Sequence, residues 1–287
     1  MKNFKIKSYG KINLTLNVIN KLNNSYHSIS SLITFCDLHD LINISAIKSP
    51  NDKIVFSGRF KKGINNKSNT VAKLLSLLRE KGLLKKQSFR INIKKNIPHG
   101  SGLGGGSSNA ANLLNFLNNK MKLNLNNSEK LKIARQIGFD VPINLKRKNT
   151  ILTGKKDEIL RMNKGFKLHI LIVYPNFICS TKKIYKNNKK IGARKIKYFL
   201  KKLNKKNLIS ALKKERNDLQ STVIKIYPKI AKVINFIKSQ NGCHLSRITG
   251  SGSACIGIFS NIHNAIYAQK SIRSKYPKFW SVVSRTI

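Results

Sequence analysis

Carboxylates are the scarcest chemistry in this chain, whose 287 residues carry ten Asp and Glu against 57 Lys and Arg. Any acid or base built from a carboxylate must therefore be Asp37, Asp40, Asp52, Glu80, Glu129, Asp140, Asp157, Glu158, Glu215 or Asp218. Cysteine is also sparse. Cys36, Cys179, Cys243 and Cys255 are scattered and form no C-x-x-C pair, which argues against a zinc site or a disulfide framework and predicts reduced thiols in or near the core. The most apolar stretch, Leu168 to Pro175, is too short to span a bilayer, and the N-terminus lacks the apolar segment and cleavage site of a signal peptide. A soluble, cytoplasmic protein with no membrane partner is expected.

What the chain has in excess is base. A formal charge of +47 would by itself suggest nucleic acid or another anionic surface as partner. The distribution argues otherwise: lysine is spread over nearly every segment and interleaved with asparagine, and no RNA-recognition signature or basic heptad array occurs. The densest runs, Lys182 to Lys190 and Lys195 to Lys206, read as solvated helix faces. No specific nucleic-acid site is expected, although such a charge attracts anionic nucleotides.

An apolar content of 40% over this length supports two lobes. Phe4 through Val18 reads as one or two strands, and Leu41 to Ile47 as another. Ser68-Asn-Thr can cap a helix with Val71, Leu74, Leu75 and Leu78 on one face, stopped at Gly82. Phe89, Ile91 and Ile93 alternate with polar residues in a half-buried strand running into a glycine cluster. A helix with Ala110, Leu113, Leu114 and Leu117 inward comes after it. The next helix, from about Ser128 with Leu131, Ala134 and Ile137 inward, should end at Gly138, with Pro142 pushing Val141 out of helical geometry and Asp140 in the turn. Asn149 to Lys164 is polar and reads as the boundary between lobes at 1–155 and 156–287. A strand from Lys167 to Tyr174, lysine-rich helices, and a closing strand, glycine turn, strand, helix and strand from Leu245 complete the pattern.

The glycine cluster carries the clearest chemistry. Pro98, His99, Gly100, Ser101, Gly102, Leu103, Gly104, Gly105, Gly106, Ser107 and Ser108 place five glycines and three hydroxyls directly before a helix N-terminus. Backbone N–H groups freed of side chains, with the positive end of the helix dipole behind them, suit a di- or triphosphate. No lysine follows Gly106, so this is not a Walker A loop, and no acidic residue lies between Asn109 and Ser128 to hold the ribose of a dinucleotide. The H-R-D and D-F-G signatures of protein kinases are absent.

The loop resembles the second motif of the GHMP kinases, P-x-x-x-G-L-G-x-S-S-x-A, through Pro98, Gly102, Leu103, Gly104, Ser107, Ser108 and Ala110, with one glycine more before Ser107 than that pattern has. Its longer form, G-L-G-G-G-S-S-N-A-A, resembles the branch acting on 4-diphosphocytidyl-2-C-methyl-D-erythritol. Other segments match in order: Lys11-Ile-Asn-Leu14, Tyr26-His27, Asp37-Leu-His-Asp40, Gly138-Phe-Asp-Val-Pro-Ile143, Asn217-Asp-Leu and Thr249-Gly-Ser-Gly-Ser253. Gly10, Ser25, Phe139 and Ile143 depart from the usual pattern without removing a reacting group.

The resemblance implies an α+β, two-lobed GHMP kinase fold, with a ribosomal-protein-S5-domain-2-like N-terminal lobe and a ferredoxin-like C-terminal lobe. It implies ATP as phosphoryl donor, with Mg2+ delivered by the nucleotide and no protein metal ligand identified. Asp140, amid Ile137, Phe139 and Val141, is the matching base, and Lys11 the cation that balances it. The family's matches for binding the substrate are Asn13, Tyr26 and His27, with Tyr185 as a second aromatic against the cytosine; Thr181 belongs to the same site or caps the following helix. Asp37, Asp40 and Asn217-Asp218 read as mostly structural. A small-molecule acceptor and a monomer or weak homodimer are expected. The rival readings are another GHMP small-molecule kinase, or a basic RNA-binding protein with a kinase-like fold.

Overall fold

A computed structural model describes residues 3–21, 27–84, 87–153, 158–163, 165–192 and 204–287. In chain order the first half gives strands β1 (Asn3–Asn13), β2 (Asn17–Lys21), β3 (His27–Ile47) and β4 (Lys53–Ser57), helix α1 (Thr70–Glu80), strand β5 (Ser88–Lys94), and helices α2 (Gly105–Lys120), α3 (Asn127–Ile137) and α4 (Val141–Asn144). The rest comprises β6 (Thr150–Thr153), β7 (Ile159–Arg161), β8 (His169–Tyr174), α5 (Thr181–Asn187), α6 (Lys205–Lys214), α7 (Gln220–Ile226), α8 (Lys229–Lys238), β9 (Cys243–Ile248), β10 (Cys255–Phe259), α9 (Ile262–Lys275) and β11 (Trp280–Arg285). Two compact units are interleaved along the chain. One holds Met1–Lys11, Leu38–His99 and Gly104–Arg147; the other holds Ile12–Asp37, Gly100–Leu103 and Lys148–Ile287.

In the first unit, β5 lies between β4, which it pairs in parallel, and the end of β3, which it pairs antiparallel with Leu41 opposite Lys94. Phe89, Ile91 and Ile93 point to one face, as their alternation requires, and pack with Ile42 and Ile44 against Leu74, Leu78, Leu113, Leu114 and Leu117 of α1 and α2. Burying these side chains, at roughly 1.5–3 kcal/mol each, is what holds α1 and α2 on the sheet. α3 adds Ile133, Ala134 and Ile137 to the same core. Leu131, expected inward, is only half-buried, because the inward face of this helix is centred on Ile133.

In the second unit, β8 and β10 form the centre of the antiparallel sheet β11-β8-β10-β9, with Val173 opposite Cys255 and Ser281. Val223, Ile230, Val233, Ile234 and Ile237 of α7 and α8, with Ala265, Ala268 and Ile272 of α9, cover it. The first part of β3 pairs with β2 and β6, and β6 with β7. The cysteines behave as expected: all four are free, three are buried, and burial pushes the Cys179 and Cys243 thiols up to about 11.

Among the described residues, four helices start on asparagine. Asn69, Asn126, Asn204 and Asn261 accept from backbone N–H groups in the first turns of α1, α3, α6 and α9, and Asn126 with Glu129 completes a capping box.

The polar segment Asn149 to Lys164 holds β6 and β7, which leaves its reading as a boundary untouched. Two further expectations are corrected. β3 is a 21-residue strand, not only its Leu41–Ile47 end. Val141 is not excluded from helix: it opens α4 with Pro142 in the first turn, where a missing N–H leaves no bond unmade. The basic run Lys195 to Lys206 lies mostly outside the described residues. Among the described residues, no helix is long and apolar enough to cross a membrane.

Candidate active site

The glycine segment bends because its residues need backbone that side chains resist. Gly100, Gly102 and Gly104 all have positive φ, at 64°, 82° and 67°. Gly104 is the N-cap of α2, so the free N–H groups of a 16-residue helix come directly after it. With no acidic residue in its first turn, that helix end favours an anion. Such a cradle fits a nucleotide's phosphates.

Within the first unit, the structure brings together the two residues singled out for chemistry. Lys11 Nζ lies 3.1 Å from Asp140 Oδ2, and the lysine is buried (5% exposed) while the aspartate is 37% exposed. Gly104 explains how Lys11 is held: a Cβ built there would stand 2.7 Å from Lys11 Cγ. Lys11 reaches its position along a strand whose last residues are all buried, and Asp140 takes its own from the turn between α3 and α4. Asn144 donates to the Asp140 carbonyl at 2.6 Å, fixing that turn. The apolar enclosure expected around Asp140 is absent. Phe139 is 62% exposed and the carboxylate faces solvent, because the one-turn helix beyond it buries Val141 and Pro142 instead.

Pro98, His99, Gly105, Gly106, Ser107 and Ser108 also belong to this unit. His99 Nε2 lies 2.9 Å from the Lys62 carbonyl, and Thr70 donates to the Gly106 carbonyl at 2.8 Å. Ser108 accepts from Asn112 at 3.2 Å. Behind the loop, Asp40 accepts from the backbone N–H of Asn96 and Ile97 at 2.8 and 2.9 Å and pairs with buried Lys95.

In the second unit, Gly100, Ser101, Gly102 and Leu103 meet the turn Thr249–Ser253. A Cβ on Gly102 would lie 2.2 Å from the Thr249 carbonyl oxygen, and Ala254 N–H donates to the Ser101 carbonyl at 3.1 Å. Asn217 donates to the Ile248 and Gly250 carbonyls, at 3.2 and 2.8 Å. Asn13 is buried; its backbone N–H donates to Thr249 Oγ1 and its amide to Ser31 Oγ. The rings of His27 and Tyr185 sit 4.9 Å apart, and burial, helped by Lys21, lowers the His27 pKa. Tyr26 lies outside the described residues. Thr181 is not the cap of α5, since Ser180 accepts from Lys183 N–H in that role. Its hydroxyl lies 2.9 Å from that of Ser251, a residue that the motif pattern places only in a glycine turn. Lys95 was missed because nothing in sequence separates it from the other lysines. Among the described residues, no cluster of three His, Cys, Asp or Glu could hold a metal ion.

Comparison with known proteins identifies the family and the fold. Residues 69–146 match the GHMP kinases N terminal domain, and residues 199–278 match GHMP kinases C terminal. The 4-diphosphocytidyl-2-C-methyl-D-erythritol kinase of Pelagibacter ubique is 39% identical over 292 residues, covering all of both chains. The one of Caldicellulosiruptor bescii is 33% identical over 272 residues, covering 94% of each chain. A crystal structure of 4-(cytidine 5'-diphospho)-2C-methyl-D-erythritol kinase superposes with a TM-score of 0.76 at 22% identity, over 99% of this chain and 100% of that one. The α+β GHMP kinase fold that the resemblance implies is thus the fold of this chain. With relatives aligned from end to end, the chain belongs to the GHMP kinases, in the family of the 4-diphosphocytidyl-2-C-methyl-D-erythritol kinases.

Proposed function

We propose that the chain transfers the γ-phosphoryl group of ATP to the 2-hydroxyl of 4-diphosphocytidyl-2-C-methyl-D-erythritol, giving the 2-phosphate and ADP on the non-mevalonate route to isoprenoid precursors. One observation carries the reading beyond the relatives' names: the Lys11–Asp140 pair at 3.1 Å, with its cation buried and its carboxylate open to solvent. A hydroxyl can reach the carboxylate while the ammonium stays behind it.

When bound, ATP with its magnesium supplies the phosphoryl group. Asp140 takes the proton of the attacking hydroxyl, and Lys11 offsets negative charge beside the reacting oxygens. The backbone N–H groups of residues 99–108, in the segment that Pro98 opens and that runs into the start of α2, hold the phosphates, which positions the donor without bond-making by the protein. His27 and Tyr185, with Tyr26, hold the cytosine; Asn13 and Thr181 border the rest of the acceptor. Residues 1–155 and 156–287 act as the ATP-loop lobe and its C-terminal companion, in the cytoplasm, as a monomer or weak homodimer without a specific nucleic-acid partner.

The test is ADP release with the cytidylylated acceptor against mevalonate and homoserine. Preference for the first is expected by a wide margin in kcat/KM; preference for either of the others would make the chain a different GHMP kinase.

A further inference from the structure

Asp40 is completely buried, yet it receives four donors from two stretches of the first unit, 95–97 and Asn109. Its Oδ1 accepts from the backbone N–H groups of Asn96 and Ile97, immediately before the glycine loop. Its Oδ2 pairs with the ammonium of Lys95, the residue just after β5, and accepts from the side-chain amide of Asn109 at 3.2 Å. Asn109 stands in α2, immediately after the loop. One carboxylate therefore holds the chain both where it enters the segment 98–108 and where it leaves. Lys95 is part of the same device: a Cβ built on Gly105, the first residue of α2, would lie 3.2 Å from Lys95 Nζ.

We propose that Asp40 is a positioning residue for nucleotide binding, one that sets the geometry of the phosphate loop by tying its two ends to a single point, with Lys95 neutralising it. The neutralisation matters because an unpaired carboxylate behind an anion cradle would repel the ligand the cradle is shaped for. The tie matters because a long glycine-rich loop is floppy; fixing its ends removes conformations before the ligand arrives. This inference rests on the proposed ATP-dependent reaction but concerns residues outside the phosphate-contacting set.

Removing one partner alone would leave a buried charge unpaired and invite unfolding. The informative variant replaces both, Asp40→Leu with Lys95→Leu, since apolar pairs of similar volume often restore stability. Melting temperature should fall less than in either single variant, the remaining loss coming from the N–H groups of Asn96 and Ile97 that no longer have an acceptor. The dissociation constant for ATP with Mg2+, measured by calorimetry on the full chain, should rise roughly ten- to a hundredfold, the scale of an ångström-sized misplacement. KM for the cytidylylated acceptor should not move. Asn109→Ala, which keeps the ion pair and frees only the helix end of the loop, should raise the ATP constant by a smaller factor, and it decides the matter alone if the double variant does not fold. A purely structural Asp40 would lower melting temperature and active fraction while leaving ATP affinity per folded molecule unchanged. That result, with native protein binding ATP, overturns the positioning role alone; native protein that bound no ATP would overturn the proposed function as well.

Discussion

Gly104 and Gly82 form a natural pair for testing how the loop holds Lys11. Both have φ of +67°, but a Cβ on Gly82 meets nothing within 4 Å, whereas one on Gly104 meets Lys11 Cγ at 2.7 Å. Alanine at either position bears the same left-handed penalty, roughly 1–2 kcal/mol, reduced by about 0.4–1 kcal/mol because alanine also restricts the unfolded chain. Gly82→Ala should therefore lose about 1 kcal/mol, a fall of only a few degrees in melting temperature. Gly104→Ala carries an added cost. Ordinary contact begins at 3.4 Å, so the lysine stem must retreat by about 0.7 Å. That retreat pulls at an ammonium placed 3.1 Å from Asp140. Misplacement on this scale costs about ten- to a hundredfold in rate. The assay is ADP release with the cytidylylated acceptor, alongside thermal melting of both variants. Activity should fall only in Gly104→Ala. Equal loss in both, or a Gly104→Ala enzyme with native turnover, would refute the claim that this glycine shapes the lysine.

Asp140→Asn should keep its fold and its ATP affinity while transfer slows by roughly two to four orders of magnitude, the scale of a lost general base, and near-native turnover would remove Asp140 from the chemistry. Tyr185→Ala should weaken use of the cytidylylated acceptor by about ten- to a hundredfold, from stacking worth about 1–3 kcal/mol. The same loss with an acceptor lacking cytosine would show that Tyr185 supports the fold instead. Burial, aided by neighbouring lysines and, for His169, Arg285, depresses the pKa of His27, His169 and His244. As pH falls through 6.5 the unfolded chain protonates these rings before the folded one does, so stability is full above that value and declines below it. Thermal melting from neutral pH down to pH of about 5 should show the decline, and replacing all three by glutamine should flatten it; an unchanged slope would assign the effect elsewhere.

Elements with a clear period or a motif were legible in the sequence. β5 and α1 were readable because one face of each is buried and the other is wet. β3 was not, because residues 30–36 are buried on both faces and lose their alternation. Its hydroxyls are satisfied at long range instead, with Ser30 donating to the Leu152 carbonyl and Thr34 to Asn149 Oδ1. That same pairing turns a polar stretch into β6. In the candidate site, Lys11 and Asp140 could be named because motifs flank them. Lys95 could not, since in a chain with 57 basic residues only burial distinguishes a lysine that matters. The solvent-facing setting of Asp140 was equally hidden, because hydrophobic sequence neighbours need not be spatial ones.

The asparagine caps give the molecule an uncommon response to salt. Amides neither titrate nor depend on charge, so Asn69, Asn204 and Asn261 hold their helix ends at high ionic strength, where aspartate caps would be screened; only at α3 does a carboxylate, Glu129, share the cap with Asn126. The few carboxylates are committed elsewhere: Asp37, Asp40, Asp52, Asp140 and Asp218 all sit in ion pairs. Added salt therefore weakens the exposed ion pairs before the helix termini, and it should loosen side-chain order while far-ultraviolet dichroism persists.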